Sequence, residues 1–317
     1  MLKRHLLAAI AATLCLTSCH QNSRVLEPNV FYVPQDRHIR SLPNTFPKLN
    51  LEELRSEWGK ELKIGMSFTY EMDLYRAITS FKRALILMPQ NLTERRWQAE
   101  YGLVLCYYLG NHFKDAAETF ESSTLSNVPD SFPAFRNLML ILFDSYNRIE
   151  DPVRACAIYN LLEKYDPEAA RDLNLGKSIT EGNLPCVREQ AENRADRDEI
   201  LQFTNCYCLK AKSVQKAQAL NAILPGAGYY YVGLKKSAFT SLTLNALFTL
   251  ATIHFFEHGN IAAGLITLSF ETGWYFGGIN GAGLAAKEYN QFVYNTNAKE
   301  TMMKQNLFPV LMFQHSF

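Results

Sequence analysis

Apolar positions are spread unevenly along these 317 residues, and the unevenness divides the chain. Lys3 and Arg4 precede an apolar run from Leu6 to Leu16, the shape of a cleaved leader over 1–18. Pro28, Pro34, Pro43 and Pro47 follow in a polar stretch, which excludes a long helix and predicts an extended tether over 19–50. From 51 to 169 apolar residues recur at three- and four-residue intervals, the spacing of helices with one buried face. Beyond Pro167 the chain turns polar, with "EGNLP" and "REQAENRADRDE", and predicts a connector over 170–218 with an amphipathic helix around Ile200 to Ala219. Charge then disappears. Ala238 to Phe256 is a run of 19 residues without Asp, Glu, Lys or Arg, enough to cross a hydrocarbon core as a helix. "EHGN" makes a turn before a second apolar segment, Ile261 to Ala286, so 219–290 reads as a helical hairpin. In 291–317 the tail "LFPVLMFQHSF" alternates apolar residues at Leu311, Phe313 and Phe317, the period of a single strand, for which Val30 to Val33 is the expected partner.

The helical region repeats itself at a period of about 34 residues. Its first unit places Ile64, Gly65, Phe68, Ala77, Phe81, Ala84 and Pro89 as a helix pair requires: small residues for close approach, an aromatic ring between the helices, and a proline to end the second. This pattern resembles the tetratricopeptide repeat. A second unit, roughly 93–130, keeps Tyr107, Ala116 and Phe120 but has Ser123 where the repeat has Ala; a third, roughly 136–169, has Leu142, Tyr146, Ala155, Tyr159, Leu162 and Pro167. The resemblance implies a stack of three repeats over 51–169 that binds a protein or peptide in a concave groove. The named residues are packing residues, so Arg95, Arg96, Arg136 and Arg154 are the candidates for contact with a partner.

The stretch "GWYFGGINGAG" at 273–283 has glycines that a phosphate loop would also need, but Leu284 and Ala285 stand where Lys and Ser or Thr are required. At a spacing of four, Gly273, Gly277 and Gly281 share one helical face and would let a second helix approach within the hairpin. Asn245, His254 and Glu271 interrupt the apolar segments, which keeps a tightly packed soluble hairpin as the rival reading. Leu224, Pro225, Gly226, Gly228, Tyr231 and Gly233, with Gly273, Trp274 and Tyr275, resemble an uncharacterised bacterial family of "LPGxGxxYxG" membrane-hairpin proteins, and that resemblance implies membrane association without a known reaction. Lys235, Lys236 and Lys287 fall outside the "EHGN" turn, opposite to the positive-inside expectation for an extracytoplasmic chain.

Leu16-Thr17-Ser18-Cys19 resembles the lipobox of bacterial lipoproteins, which implies acylation of Cys19, with palmitate among the usual chains, and an extracytoplasmic, membrane-anchored protein of the inner or outer membrane. A net charge of +1 gives no reason to expect nucleic acid. Cys106 and Cys156 fall in apolar helical patterns and read as core residues, while Cys186 is a candidate to bridge Cys206 or Cys208. His254, Glu257 and His258 spell HxxEH, which in inverted zinc peptidases sets two imidazoles one turn apart on a metal; Gly259 stops the helix and only Glu271 or Glu288 offer a third ligand. No motif implies a cofactor. The sequence therefore predicts a mainly α, non-enzymatic envelope lipoprotein that scaffolds or assembles proteins, with a metal-dependent membrane enzyme using His254 and His258 as the alternative.

Overall fold

The computed structural model describes residues 26–32 and 36–316; the leader, Cys19 and Phe317 lie outside them. Every regular element among the described residues is helical, so the chain is mainly α, as its periodicity predicts. Two units share it: residues 31–200 with 299–317, and residues 26–30 with Leu201–Ala298.

The first unit contains α1 (Asp36–Ser41), α2 (Leu51–Arg55), α3 (Glu57–Tyr70), α4 (Leu74–Leu87), α5 (Thr93–Leu109), α6 (Phe113–Ser122), α7 (Phe135–Arg148), α8 (Pro152–Tyr165), α9 (Pro167–Thr180) and α10 (Leu184–Ala191). Six of these helices start where a short polar side chain can accept an unpaired N–H. Asn50 and Glu53 form a reciprocal capping box on α2, and Ser56, Asp73, Asp151, Asp166 and Asn183 cap α3, α4, α8, α9 and α10. Pro152 and Pro167 open α8 and α9, where a missing N–H costs nothing.

Four helix ends follow one rule. After α3, α5, α7 and α9 the chain passes through a residue with positive φ: Met72 (62°), Asn111 (60°), Glu150 (61°) and Gly182 (73°). The next N–H then reaches back five residues, from Asp73 to Phe68, His112 to Tyr107, Asp151 to Tyr146 and Asn183 to Ser178. This Schellman closure turns the chain directly into the following helix. Four helical hairpins thus share one turn, and the fourth occupies part of the stretch that reads as a connector. Its polar surface hides a buried face of Ala169, Ala170, Leu173, Leu175 and Ile179.

Consecutive helices pack on one another, and α3 also meets α5 as α5 meets α7. Phe81 of α4 lies between Gly65 of α3 and Gly102 of α5: a Cβ at either glycine would stand 2.8 or 2.7 Å from its ring. Trp58, Leu62, Ala77, Ala84 and Leu103 complete this core. α5 and α7 are buried almost all round, as helices covered on several sides must be.

The proline-rich segment is packed rather than a free tether over its described part, because Val30, Ile39 and Phe46 are buried. The tail is no strand either. It makes a 3₁₀ turn, Pro309–Met312, against α7; Pro309 has no ladder donor, and the tail's polar backbone groups find side-chain partners instead.

The second unit contains most of α11 (Arg197–Lys210), then α12 (Val214–Ile223), α13 (Ala227–Val232), α14 (Lys235–Glu257) and α15 (Ile261–Lys304) as far as Ala298. The amphipathic helix expected over 200–219 is interrupted before Ser213, whose side chain caps α12. Ala217, Val232, Ala282, Ala285 and Ala286 form a core of small residues, so backbones lie close. Among the described helices α14 alone is long and apolar enough to cross a membrane, and only 11% of its apolar window is buried inside the protein, unlike a soluble core helix. α15 contains Glu271, Trp274 and Tyr275 in its first half and does not reach that apolarity.

Candidate functional site

In the first unit, a chain segment lies against one face of α5, α7 and α9. Residues 307–316 bury Leu307, Phe308, Val310, Met312 and Phe313. Asn137 of α7 holds this segment by its backbone: its Nδ2 donates to the His315 carbonyl oxygen (2.8 Å) and its Oδ1 accepts the Gln314 N–H (3.3 Å). Arg136 donates to the carbonyl oxygen of Met312, and the Ser316 N–H donates to that of Pro43 (2.8 Å). Ring contacts add Phe313 on Tyr108 (6.2 Å between centroids) and Phe308 stacked on Tyr32 (5.3 Å). At Gly176 of α9 a side chain would meet the carbonyl of Leu307, 2.6 Å from a built Cβ. Burial raises the Tyr108 phenol well above its ordinary pKa, reinforced by Asp144, whose carboxylate accepts its hydroxyl at 2.9 Å.

The four arginines expected to face a partner are all engaged internally. Arg95 pairs with Glu53 (2.8 Å) and also donates to Gln98 and to the carbonyls of Pro47 and Lys48. Its hydrogen bond holds the Glu53 carboxyl below the usual range. Arg96 donates to the Leu85 and Met88 carbonyls at the end of α4. Arg136 pairs with Asp166 (2.7 Å); burial pushes that carboxyl up, but the Ala169 N–H and Arg136 outweigh it and lower the pKa. Arg154 pairs with Glu121 and Asp151. A guanidinium satisfies buried carbonyls as readily as it meets a partner, which charge in a sequence cannot distinguish. Beside Arg95, Phe46, Trp97 and Phe132 border a cleft of about 640 Å³, and the buried Trp97 Nε1 has no hydrogen-bond partner among the described residues.

In the second unit, the segment resembling "LPGxGxxYxG" comprises the tight turn between α12 and α13, α13 itself and the Gly233 that closes it. Gly226 has φ 92° and its N–H is accepted by Asn221 Oδ1 (2.8 Å); a Cβ there would collide with the Ala238 carbonyl oxygen. At Gly228 it would collide with the Ala217 carbonyl. The Tyr231 hydroxyl accepts the Ser213 N–H (3.1 Å), and that of Tyr275 donates to the Ala222 carbonyl (2.6 Å). The glycine row needs correction. Gly273 and Gly277 face open space, whereas Gly281 abuts Tyr229 and Gly278 abuts Asn221. α15 turns Gly278, Ala282, Ala285 and Ala286 inward, a face displaced from the row by about one residue, or ~100°.

The imidazoles of His254 and His258 lie 4.1 Å apart, but His258 Nδ1 is 2.9 Å from the His254 carbonyl oxygen. No group of three or more His, Cys, Asp or Glu capable of holding a metal converges among the described residues, so neither Glu271 nor Glu288 completes a site with this pair. None of Cys106, Cys156, Cys186, Cys206 and Cys208 is in a disulfide; Cys186 contacts Ser178 and Gln190 instead. Cys106 is buried as expected and burial pushes its thiol up to about 12, while Cys156 is exposed. Cys19 lies outside the described residues.

Asn137 and Asn221 were not among the expected site residues. Each is a buried amide in an apolar run, and such an amide must find partners. No protein-family model, curated protein or solved structure shows a significant match to the chain.

Proposed function

We propose that the chain is a bacterial cell-envelope lipoprotein that scaffolds or assembles other proteins, with tetratricopeptide-like helical hairpins binding an extended segment of a partner. Acylated Cys19 and the apolar α14 would hold it at the membrane. The observation that carries the protein-binding half of this reading is the arrangement around Asn137. Its amide reads backbone groups of residues 314 and 315, while neighbouring apolar surfaces take side chains. Backbone-directed bonds of this kind serve any extended segment, so a partner strand can use the same face. The four equivalent Schellman turns support a repeat origin for the surface.

The test uses a fluorescent peptide of residues 307–316 and a chain lacking 307–317, shown to be folded by circular dichroism. Saturable binding that Asn137→Ala abolishes is the expected result. A folded truncated chain that ignores the peptide overturns the groove reading. For the anchor, a chain secreted without its acylation cysteine is extracted at alkaline pH. Retention in the membrane pellet supports insertion of α14, and release means that Cys19 acts alone.

A further inference from the structure

Two helices of the second unit are set in the same direction against a third. α12 runs antiparallel to α15: Lys212 N–H donates to Asn290 Oδ1 (2.7 Å), Gln218 lies on Gly283, and Asn221 lies on Gly278. α14 does the same, with Ser241 beside Gly278, Phe248 stacked on Phe270 and Thr252 bonded to Thr267 (3.0 Å). α12 and α14 are therefore parallel, and Asn221 and Ser241 mark one level. Counting back from it, Lys216 lies five residues and Lys235 six residues earlier, about 7.5 and 9 Å along their helices. The two ammonium groups thus stem from the same level, at the same end of both helices.

Between these helices is a cleft of about 830 Å³. Its lining has a direction. On α12, Lys216 is followed one turn later by Leu220, and Leu224 closes that helix; on α14, Lys235 is followed by Phe239 and Leu242. The charged end holds two lysines and no carboxylate, and no ion pair joins either lysine to a described residue. Lys216 Nζ stands 5.1 Å from the Tyr231 ring centre. Toward the other end Phe239 is 71% exposed, and the apolar surface continues along α14 through Leu247 and Leu250. Such an exposed apolar surface marks a site of association, and its length matches a hydrocarbon chain better than a compact solute.

We infer that this cleft binds an anionic phospholipid, its phosphate between Lys216 and Lys235 and an acyl chain along Leu220, Leu224, Phe239 and Leu242. The inference rests on the reading of α14 as membrane-inserted. Charge complementarity selects the headgroup, and the order of polar and apolar lining selects an amphiphile over free phosphate.

The test is native mass spectrometry of the full-length chain in neutral detergent, titrated with dioleoylphosphatidylglycerol or dioleoylphosphatidylcholine. The expected result is a preference for the anionic lipid of about thirtyfold, the effect of two juxtamembrane lysines. Lys216→Ala with Lys235→Ala removes that preference, whereas Lys236→Ala, one residue outside the lining, keeps it. Leu224→Asp, at an exposed position that should not disturb folding, weakens both lipids. Glycerol phosphate at the same concentration does not compete. Equal affinity for the two lipids, an unaffected double variant, competition by glycerol phosphate, or displacement by an acidic amphipathic peptide in preference to lipid would each overturn the site. Alkaline extraction of the chain secreted without its acylation cysteine separates the two readings. Retention without lipid preference removes the site alone, while release from the membrane removes the insertion on which it rests.

Discussion

Phe81 stands so close to Gly65 that a Cβ on the glycine would lie 2.8 Å from its Cδ1. The ring is almost fully buried and also faces Gly102, so it has little freedom to retreat. Gly65→Ala should therefore destabilise the chain by about 1–3 kcal/mol through overpacking, despite the better helix propensity of Ala. Gly273→Ala, on an open face, should stay within about 1 kcal/mol and lean toward stabilisation. Thermal melts of the two variants check this; equal destabilisation would refute the packing assigned to α3 and α4.

The tail supplies a second prediction. Phe313 is buried against Tyr108, and Phe313→Ala should cost about 3–5 kcal/mol by opening a cavity. Asn137→Ala should cost about 1–3 kcal/mol and leave the Gln314 amide unprotected in hydrogen exchange. Rapid exchange at Gln314 in the unaltered chain would show that the segment is not held.

Acid sensitivity follows from two ion pairs. Arg95 lowers the pKa of Glu53, and the Ala169 N–H with Arg136 lowers that of Asp166 against the opposing effect of burial. Both carboxyls bind protons more weakly in the folded than in the unfolded state, so their contribution to stability is present above about pH 4–5 and is lost as pH falls through the folded values. Glu53→Gln and Asp166→Asn should each flatten that acid limb of the unfolding curve. An acid limb unchanged in both variants would contradict the assignment.

Thiol chemistry offers a direct check on burial. Cys156 is exposed and should react with maleimide in the native chain, while Cys106, buried beside Thr69 with its thiol pKa pushed up to about 12, should react only after unfolding. Reducing agent should leave the melting temperature unchanged, because no described cysteine is bridged.

A fifth expectation concerns the turn before α13. Gly226→Ala adds a side chain at φ 92° and against the Ala238 carbonyl, so it should destabilise the second unit by more than about 1 kcal/mol. Gly233→Ala, also at positive φ but with open space around it, isolates the conformational part of that cost. Denaturant midpoints of the two variants separate the contributions.

What the sequence by itself determined is local. Helical periodicity and the pairing of Gly65 with Phe81 depend on neighbours within about 35 residues, and Phe81 lies against Gly65 as that pattern requires. The uncharged run in α14 was equally legible because apolar length is a property of one helix. Tertiary structure decided the rest. Whether Arg136 meets a partner or the chain's own Met312 depends on a segment 176 residues away, and no local rule encodes that choice. The tail's alternation suited a strand, but Pro309 and the side chains of α7 gave its backbone better partners than another strand would. The inward face of α15 was set by Gly228, which lies on Ala282, and by Asn221, which lies on Gly278, so four-residue glycine spacing named a face about one residue away from the buried one. Long-range contacts choose among faces and conformations that local energetics leave nearly equal.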